Sequence, residues 1–438
     1  MAFWAWRDKS VGFAVQTDYE TENITDAEFL TTVVPVEVAF PDHVREVEEF
    51  EASVTQVGAF EPPVPGSKHG GSFRLRMPVR GFKSGYNGAS DSPGVDADII
   101  SSEILLWANA LGSANGSVTT TANMNAGLHL EDADNYSNDS LVSAADAATL
   151  ELGAGEGASW SPGNFVLVGT ETTDTAPCAG FIKSISTDTL TLFENAQNQA
   201  AAADDVWPTV TAYQSGAEPK ALSFRMYGDD TTFCLVYVGC VATSWTYSGA
   251  PGKTGFLEIE YSYTDRKWNT DDGGQQVADA FLRVPPALGG QNGYFTIDGD
   301  SADVADFEVS CEMTPAYIAS HSGAQGVADV VITERKITAT FAEAHASGAG
   351  EITSGEHVYE NKLVNGTTMS LGLYVGHTPG KVFAMLLPAV HVMEQPQPEL
   401  IDGLLYHRVT TRISAYTGDG GVPTQSESQN SNFRFGCA

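Results

Sequence analysis

The hydrophobic pattern of the chain is that of strands far more than helices. Residues 72–79 alternate, with Phe73, Leu75 and Met77 on one face and Arg74 and Arg76 on the other, which predicts a half-buried strand. Phe256–Tyr263 alternates in the same way: Leu257, Ile259, Tyr261 and Tyr263 are expected toward a core, Glu258 and Glu260 away from it. Leu30–Val38 is β-branched, and Pro35 within it suits an edge. From about Ser161 to Tyr213, the segments NFVLVG, FIKSI, LTLF and WPTVTAY read as a compact unit of short strands. Helical spacing is rare. Asp96–Leu111 is the strongest case, with Ile100, Ile104, Trp107 and Leu111 forming one stripe against a sheet, Asp96 as N-cap and Gly112 just past the end. Ser354–Gly366 is a weaker helix. Residues 113–145, rich in Gly, Ser, Asn and Asp, are expected as loop.

The longest pattern occurs twice. Ala221–Asp265 and Ser370–Asp419 each begin with a short apolar strand closed by Gly (Leu222–Gly228, Leu371–Gly376). A polar turn, a long apolar strand (Phe233–Val241, Val382–Val392), a Gly- or Pro-rich loop and an alternating strand follow in both, at an offset of about 149 positions. Elements in fixed order at one offset mark an internal repeat. Strand 72–79 has its counterpart in Val330–Phe341, about 258 positions on, so the first half carries about 109 additional residues. The expected organisation is mainly β: a first module over 1–265 interrupted by a β unit at about 146–215, a linker over 266–292, a second module over 293–420 and a C-terminal arm over 421–438. The opening residues, with Trp4 and Trp6, read as an arm docked on its own module or on a neighbour, since aromatic rings of that size are costly to leave in water.

With 438 residues and 42% apolar positions the chain is long enough for large cores and is not of disordered composition. It contains no run of about 18 apolar residues, so no membrane-spanning helix is expected. MAFWAWRDKS lacks the charged-then-apolar order of a secretory leader, so the chain is expected to stay where it is made. Five widely spread cysteines without a CxxC pair point to reduced, buried thiols, not a disulfide framework or a zinc site. The outlying property is charge: 56 acidic against 22 basic side chains give a net −34. Such a surface suits solubility or a saline environment and argues against ordinary nucleic-acid binding, which wants the opposite sign.

Candidate chemistry is sparse. There is no GxSxG, P-loop, HExxH or GxGxxG after a strand. The histidines are scattered. Glu131, Asp132 and Asp134 form one acidic loop cluster, and Asp298, Asp300, Asp303 and Asp306 another. Neither has the ligand order of an EF-hand, so both are expected to be solvated loops and not calcium sites. No catalytic, cofactor or metal residue is assigned, and the chain is not expected to be an enzyme.

The ordered features also resemble a known family. FAVQTDYETENITDAEFLTTVVPVEV resembles the opening, GGSFRLRMP and DADIISSEILLWANALG the strand, loop and helix, LVYVGCVATSWTYSGAPGKTGFLEIEYS the long strand and final sheet strand, and GKVFAMLLPAVHVMEQPQPELIDGLLYHRVTTRISAY the second version, of the tail tube (major tail) proteins of long-tailed, non-contractile viruses of bacteria and archaea. That resemblance implies two tandem tail-tube-type β-sandwich domains, each with a flanking helix, plus the small inserted β unit. It implies subunits that extend sheets into one another, closing an inner barrel around a channel, with rings stacking so that DNA leaves the virion through the bore. A chain with two such domains is expected as a homotrimer with pseudo-sixfold symmetry rather than a hexamer. Its partners would be itself and the tail terminator, tape measure and tail-tip proteins. DNA would pass without specific binding, no membrane would be involved, and assembly into the virion tail would take place in the host cytoplasm. Glu258 and Glu260 are then candidates for the channel wall, where carboxylates repel a duplex carrying one charge per roughly 1.7 Å. Arg74, Arg76, Trp4 and Trp6 are candidates for subunit contacts. The alternatives are another β-rich virion protein (capsid decoration or tail tip) or a secreted acidic glycan-binding or hydrolytic β protein of a halophile.

Overall fold

Apolar runs broken by Gly, Pro and Asp leave backbone N–H and C=O groups to be satisfied between strands, and the protein is mainly β. The computed structural model describes residues 11–16, 31–33, 37–39, 47–48, 64–65, 71–79, 102–112, 128–131, 141–146, 148–168, 178–193, 206–207, 209–214, 219–227, 233–270, 293–320, 327–345, 356–376, 382–416 and 431–437. The first strands are β1 (Val11–Val15), β2 (Thr31–Val33), β3 (Glu37–Ala39), β4 (Val47–Glu48), β5 (Val64–Pro65) and β6 (Ser72–Pro78), followed by helix α1 (Ser102–Ala110). Then come β7 (Leu128–Glu131), β8 (Leu141–Asp146), β9 (Thr149–Leu152), β10 (Phe165–Val168), β11 (Cys178–Ser186), β12 (Thr189–Leu192), β13 (Val206–Trp207) and β14 (Thr209–Tyr213). β15 (Leu222–Tyr227), β16 (Phe233–Gly249), β17 (Phe256–Ser262) and β18 (Asp265–Thr270) end the first half. The second half holds β19 (Gly293–Ile297), β20 (Asp300–Ala302), β21 (Val304–Ala319), β22 (Val327–Ala344), helix α2 (Glu356–Asn365), β23 (Met369–Val375), β24 (Phe383–Val392), β25 (Gln397–Ile401), β26 (Leu404–Ile413) and β27 (Arg434–Cys437).

One pairing scheme appears twice. β1 pairs with β2 and β15, β15 with β16, β16 with β17, β17 with β6, and β6 with β3. Correspondingly, β19 pairs with β20 and β23, β23 with β24, β24 with β26, β26 with β22, and β22 with β21. All of these ladders are antiparallel, and a helix follows β6 in the first set and β22 in the second. Even a register shift recurs, at the start of β15 against β16 and at the start of β23 against β24. The sets join edge to edge where Ser244–Gly249 of β16 runs antiparallel to Glu312–Phe307 of β21.

The main core lies behind this sheet, around Trp107 of α1. Its indole stacks on Phe435 at 4.5 Å and packs edge-on against Trp245 at 5.3 Å. Tyr247 and Phe383 each lie 5.8 Å away. One ring therefore touches β16, β24 and β27, and the core runs through both sets of strands. The helix was expected to bury one stripe; instead every described side chain from Glu103 to Leu111 is buried. Strands close over it from several directions, which fits a segment with few charges (SEILLWANA). Gly112 takes φ 97°, the left-handed conformation expected just past a helix end.

Strands β8–β13 form a separate 6-stranded sheet with its own core of Leu150, Trp160, Val166, Ile182 and Leu190. Its other face sets Phe165 and Phe181 against Tyr374, Ala384 and Leu386. β24 is thus apolar on both faces, with Phe383, Met385 and Leu387 in the main core and Ala384 and Leu386 under the small sheet. That explains its unbroken FAMLL run.

Several sequence expectations are corrected here. Leu30–Val38 is not one strand: β2 pairs with β1 and β3 with β6, with Pro35 in the interval. Residues 113–145 include β7 and the start of β8, so the small sheet begins before 146, and β14 leaves it to join the main sheet. The interval 266–292 does not start as a linker, because β18 pairs along β16 through Thr270. The described end of the C-terminal arm belongs to the fold: β27 pairs with β14 and β24, and Phe433 and Phe435 are fully buried in this chain's own core. Their aromatic–X–aromatic spacing carries the signal of a strand, here one buried on both faces.

Candidate functional site

The edge-to-edge joint makes one ladder sequence, β3–β6–β17–β16–β21–β22–β26, in which side chains of matching register share a face. Leu75, Ile259, Trp245, Cys311 and Ile337 follow one another across the strands toward the core, all buried. On the opposite face stand Arg74 and Arg76, then Glu258 and Glu260, then Ser244, Thr246 and Ser248, then Glu308, Ser310 and Glu312, and beyond them Lys336, Thr338 and Thr340. This wide polar face is the most extensive functional candidate among the described residues.

The residues singled out from the sequence meet on it. Glu258 lies directly opposite Arg76, and Glu260 opposite Arg74. Arg74 reaches both carboxylates: Nη1 is 3.4 Å from Glu258 Oε1, and Nη2 is 3.2 Å from Glu260 Oε2. The Arg76 guanidinium sits 4.5 Å above the Phe256 ring. Leu257, Ile259 and Tyr261 are fully buried behind them, and Tyr263 nearly so. The two acids are therefore half-neutralised by a cation of the same chain, and Arg74 is engaged within its own sheet. Trp4 and Trp6 lie outside the described residues.

Similar charge pairing continues along the face. Lys336 Nζ approaches Glu312 Oε2 at 4.0 Å. Arg408 makes a two-pronged contact with Asp306 at 3.1 and 2.9 Å, and its Nε donates to Glu399 at 2.5 Å. Those hydrogen bonds, Asp306 first, raise the Arg408 pKa above its ordinary value. Hydroxyl contacts fill the intervals, Ser310 with Thr338 at 2.9 Å and Ser262 with Tyr317 at 2.7 Å. The face is hydrophilic and of mixed sign, not a uniform row of acids.

β25 and β26 form a hairpin that the strand pattern of the sequence does not separate. Its tip, Asp402–Gly403, has φ 51° and 82°, the two left-handed residues of a tight hairpin turn. An Asp-Gly between two apolar runs is the signal that marks it. Leu400, Leu404 and Leu405 on this hairpin are exposed. The same signal at Asp298–Gly299 shows that the second acidic cluster is built on a hairpin: Asp298 binds Lys362 at 2.5 Å, and Asp306 is held by Arg408. Of the first cluster only Glu131, at the end of β7, lies within the described residues. Among the described residues no group of three or more His, Cys, Asp or Glu converges as a metal-ligand set.

Two other places hold titratable groups. At one end of β22, the Tyr359 hydroxyl donates to Glu343 at 2.5 Å, and His345 Nδ1 lies 2.5 Å from His407 Nε2. Burial pushes the Glu343 carboxyl up to about 7; the Tyr359 hydroxyl acts against that shift and Asp303 adds to it. Glu343, Tyr359 and His407 are all buried. A cleft of about 380 Å³ lies between Gly249–Pro251 and the β19–β20 hairpin, with Asp303 and Asp306 at its wall. Asp306 is committed to Arg408. No helix of the described residues is long and apolar enough to cross a membrane, which says nothing of a β-barrel. No protein-family model matches the chain, and no curated protein matches it.

Proposed function

We propose that this chain is a structural virion protein, the repeating subunit of a viral tail tube, without catalytic activity. The observation that carries the reading is the doubled pairing scheme with its edge-to-edge joint, in which one chain already performs a module-to-module sheet extension. In this reading the two sets of strands are tandem tube domains. Three copies close a ring of six alike modules, and rings stack around a bore. The polar face carrying Glu258, Glu260, Arg74 and Arg76 lines the bore. Its balanced, ion-paired side chains and hydroxyls present water to passing DNA and no net cationic patch to hold it. The 6-stranded sheet packs on the far side of β24, away from that face, and so decorates the outside. Copies would meet tail terminator, tape measure and tail-tip proteins, and the assembled tail would form in the host cytoplasm.

Negative-stain microscopy of the purified protein tests this. The expected result is stacked rings with an open centre of uniform width. Single particles without ring contacts at every salt concentration would overturn it. Binding to capsids without self-polymerisation would favour a decoration protein.

A further inference from the structure

We propose that the buried Arg434 guanidinium holds a halide ion, chloride in ordinary media, in the seam between the 6-stranded sheet and the main sheet.

The seam is an apolar layer. Phe165, Leu167 and Phe181 of the small sheet lie against Tyr374, Ala384 and Leu386 of the main sheet. β27 runs along it. Arg434 is the register partner of Tyr213 on β14 and of Leu386 on β24, so its side chain shares the face that Leu386 turns toward the small sheet. Gly436, two residues on, shares that face as well, and a Cβ added there would collide with Phe165. The two sheets are thus in close contact beside Arg434. A cation is carried into a layer of rings and methyl groups, and Arg434 is only 1% exposed.

What it meets there does not balance its charge. Nη2 donates to the Ser431 carbonyl at 3.3 Å, and Nε–H has no hydrogen-bond partner among the described residues. The rings of Phe193 and Tyr416 stand 5.9 and 6.0 Å from the guanidinium carbon, at the outer limit of a cation–π contact. Arg74, Lys336, Lys362 and Arg408 each have an acidic partner, whereas Arg434 has none among the described residues. Burial lowers the Arg434 pKa to about 10, with Tyr416 and Tyr374 acting against that shift, so the group is charged at neutral pH. A buried cation without a counter-charge is among the costliest groups a fold can contain. The chain has 56 acidic side chains, yet among the described residues none is placed here.

Enclosure selects the ion. A phosphate or a carboxylate-bearing ligand would have to part the two sheets to reach the guanidinium. A single-atom anion needs far less room, and it accepts the Nε–H directly. Lys183 Nζ, 5.8 Å from the Phe193 ring centroid, places a second positive charge beside the same ring. Bound there, chloride is a structural counter-ion that fixes the small sheet on the main body. Salt then acts on this protein through a site as well as through screening.

The test is thermal melting of the full chain and of Arg434→Met at fixed sodium concentration, with gluconate replaced stepwise by chloride. Fixed sodium keeps the screening of the −34 chain constant. General effects of exchanging the anion act on both proteins alike, while an ion that binds only the folded state raises the melting temperature with the logarithm of its concentration. Between about 5 and 500 mM chloride the parent is expected to gain about 1–3 °C more than Arg434→Met, with bromide acting like chloride. Arg434→Met should fold, because replacing a buried charge by an apolar side chain of similar length is often neutral or stabilising. Line broadening of the chloride-35 resonance by the parent protein gives a reading that needs no variant: saturable broadening relieved by bromide is the expected result. An equal chloride response in the parent and Arg434→Met, or broadening that does not saturate, would overturn the proposal.

Discussion

Trp245 of β16 and Cys311 of β21 face each other as register partners, although one belongs to each set of strands, and both are fully buried. The pair lies in the seam where the two halves become one sheet. Trp245 also leans on Trp107 and on Phe433 at 5.0 Å, so the seam, the helix and the C-terminal strand share one core. Burial pushes the Cys311 thiol up to about 12, which keeps it protonated and apolar in the seam.

Trp245→Ala should therefore act on both halves. A large-to-small change at such a site costs about 3–5 kcal/mol. Urea unfolding followed by circular dichroism is expected to show one transition displaced to lower denaturant. Two separated transitions, only one of them displaced, would show that the halves unfold independently of the seam.

The buried Glu343 gives a pH dependence whose sign can be worked out. Its folded pKa of about 7 lies above the ordinary 4.5, so the folded state holds a proton that the unfolded state releases. The associated stability is fully present below pH 4.5 and is lost as pH rises through 7, an effect of about 3 kcal/mol. Glu343→Gln should thus stabilise the protein more at pH 8 than at pH 5. Melting curves of both proteins at the two pH values check this, and an equal difference at both would contradict it.

Reversing the acids beside Arg74 changes the character of the polar face. Glu258→Lys with Glu260→Lys removes both partners of Arg74 and clusters cations with Arg76. Because the Arg74 side chain is 56% exposed, the stability lost with those ion pairs should be small, about 0.5 kcal/mol or less for each. If the face lines the bore, assembled variant tubes should retain short duplex DNA in a salt-sensitive manner where the parent does not. Co-sedimentation at low and high salt measures this. No retention by well-formed variant tubes would place the two residues away from the bore.

A net charge of −34 also opposes the meeting of copies. Screening shortens from about 10 Å at 0.1 M to about 3 Å at 1 M salt. The sedimenting fraction should therefore rise between 0.05 and 1 M sodium chloride at fixed protein concentration, as turbidity or sedimentation would show. A fall would mean that inter-chain ion pairs, not strand edges and apolar contacts, hold the copies together.

Much of this architecture is legible in the chain. Alternation at 72–79 and 256–263 placed strands, faces and buried residues, and the second occurrence of the long apolar strand marked the doubled scheme. What escaped were features set by distant partners. The helix stripe understated burial because strands from both halves close over α1. Phe433 and Phe435 looked like an arm because the strands that receive them, β14 and β24, lie far away along the chain. The Arg74 contacts to Glu258 and Glu260 depend on β6 lying beside β17, a neighbour relation across more than 180 positions that no local pattern carries. The Asp402–Gly403 turn is local and readable, because Asp-Gly is itself the signal of a tight hairpin.

Native mass spectrometry of the smallest stable assembly addresses the central claim most directly. Head-to-tail closure of a chain carrying two alike modules predicts a closed species of three 46.4 kDa chains, with larger species in whole multiples of it. A monomer at every ionic strength, or an open ladder of two, three, four and five chains with no closed member, would contradict it.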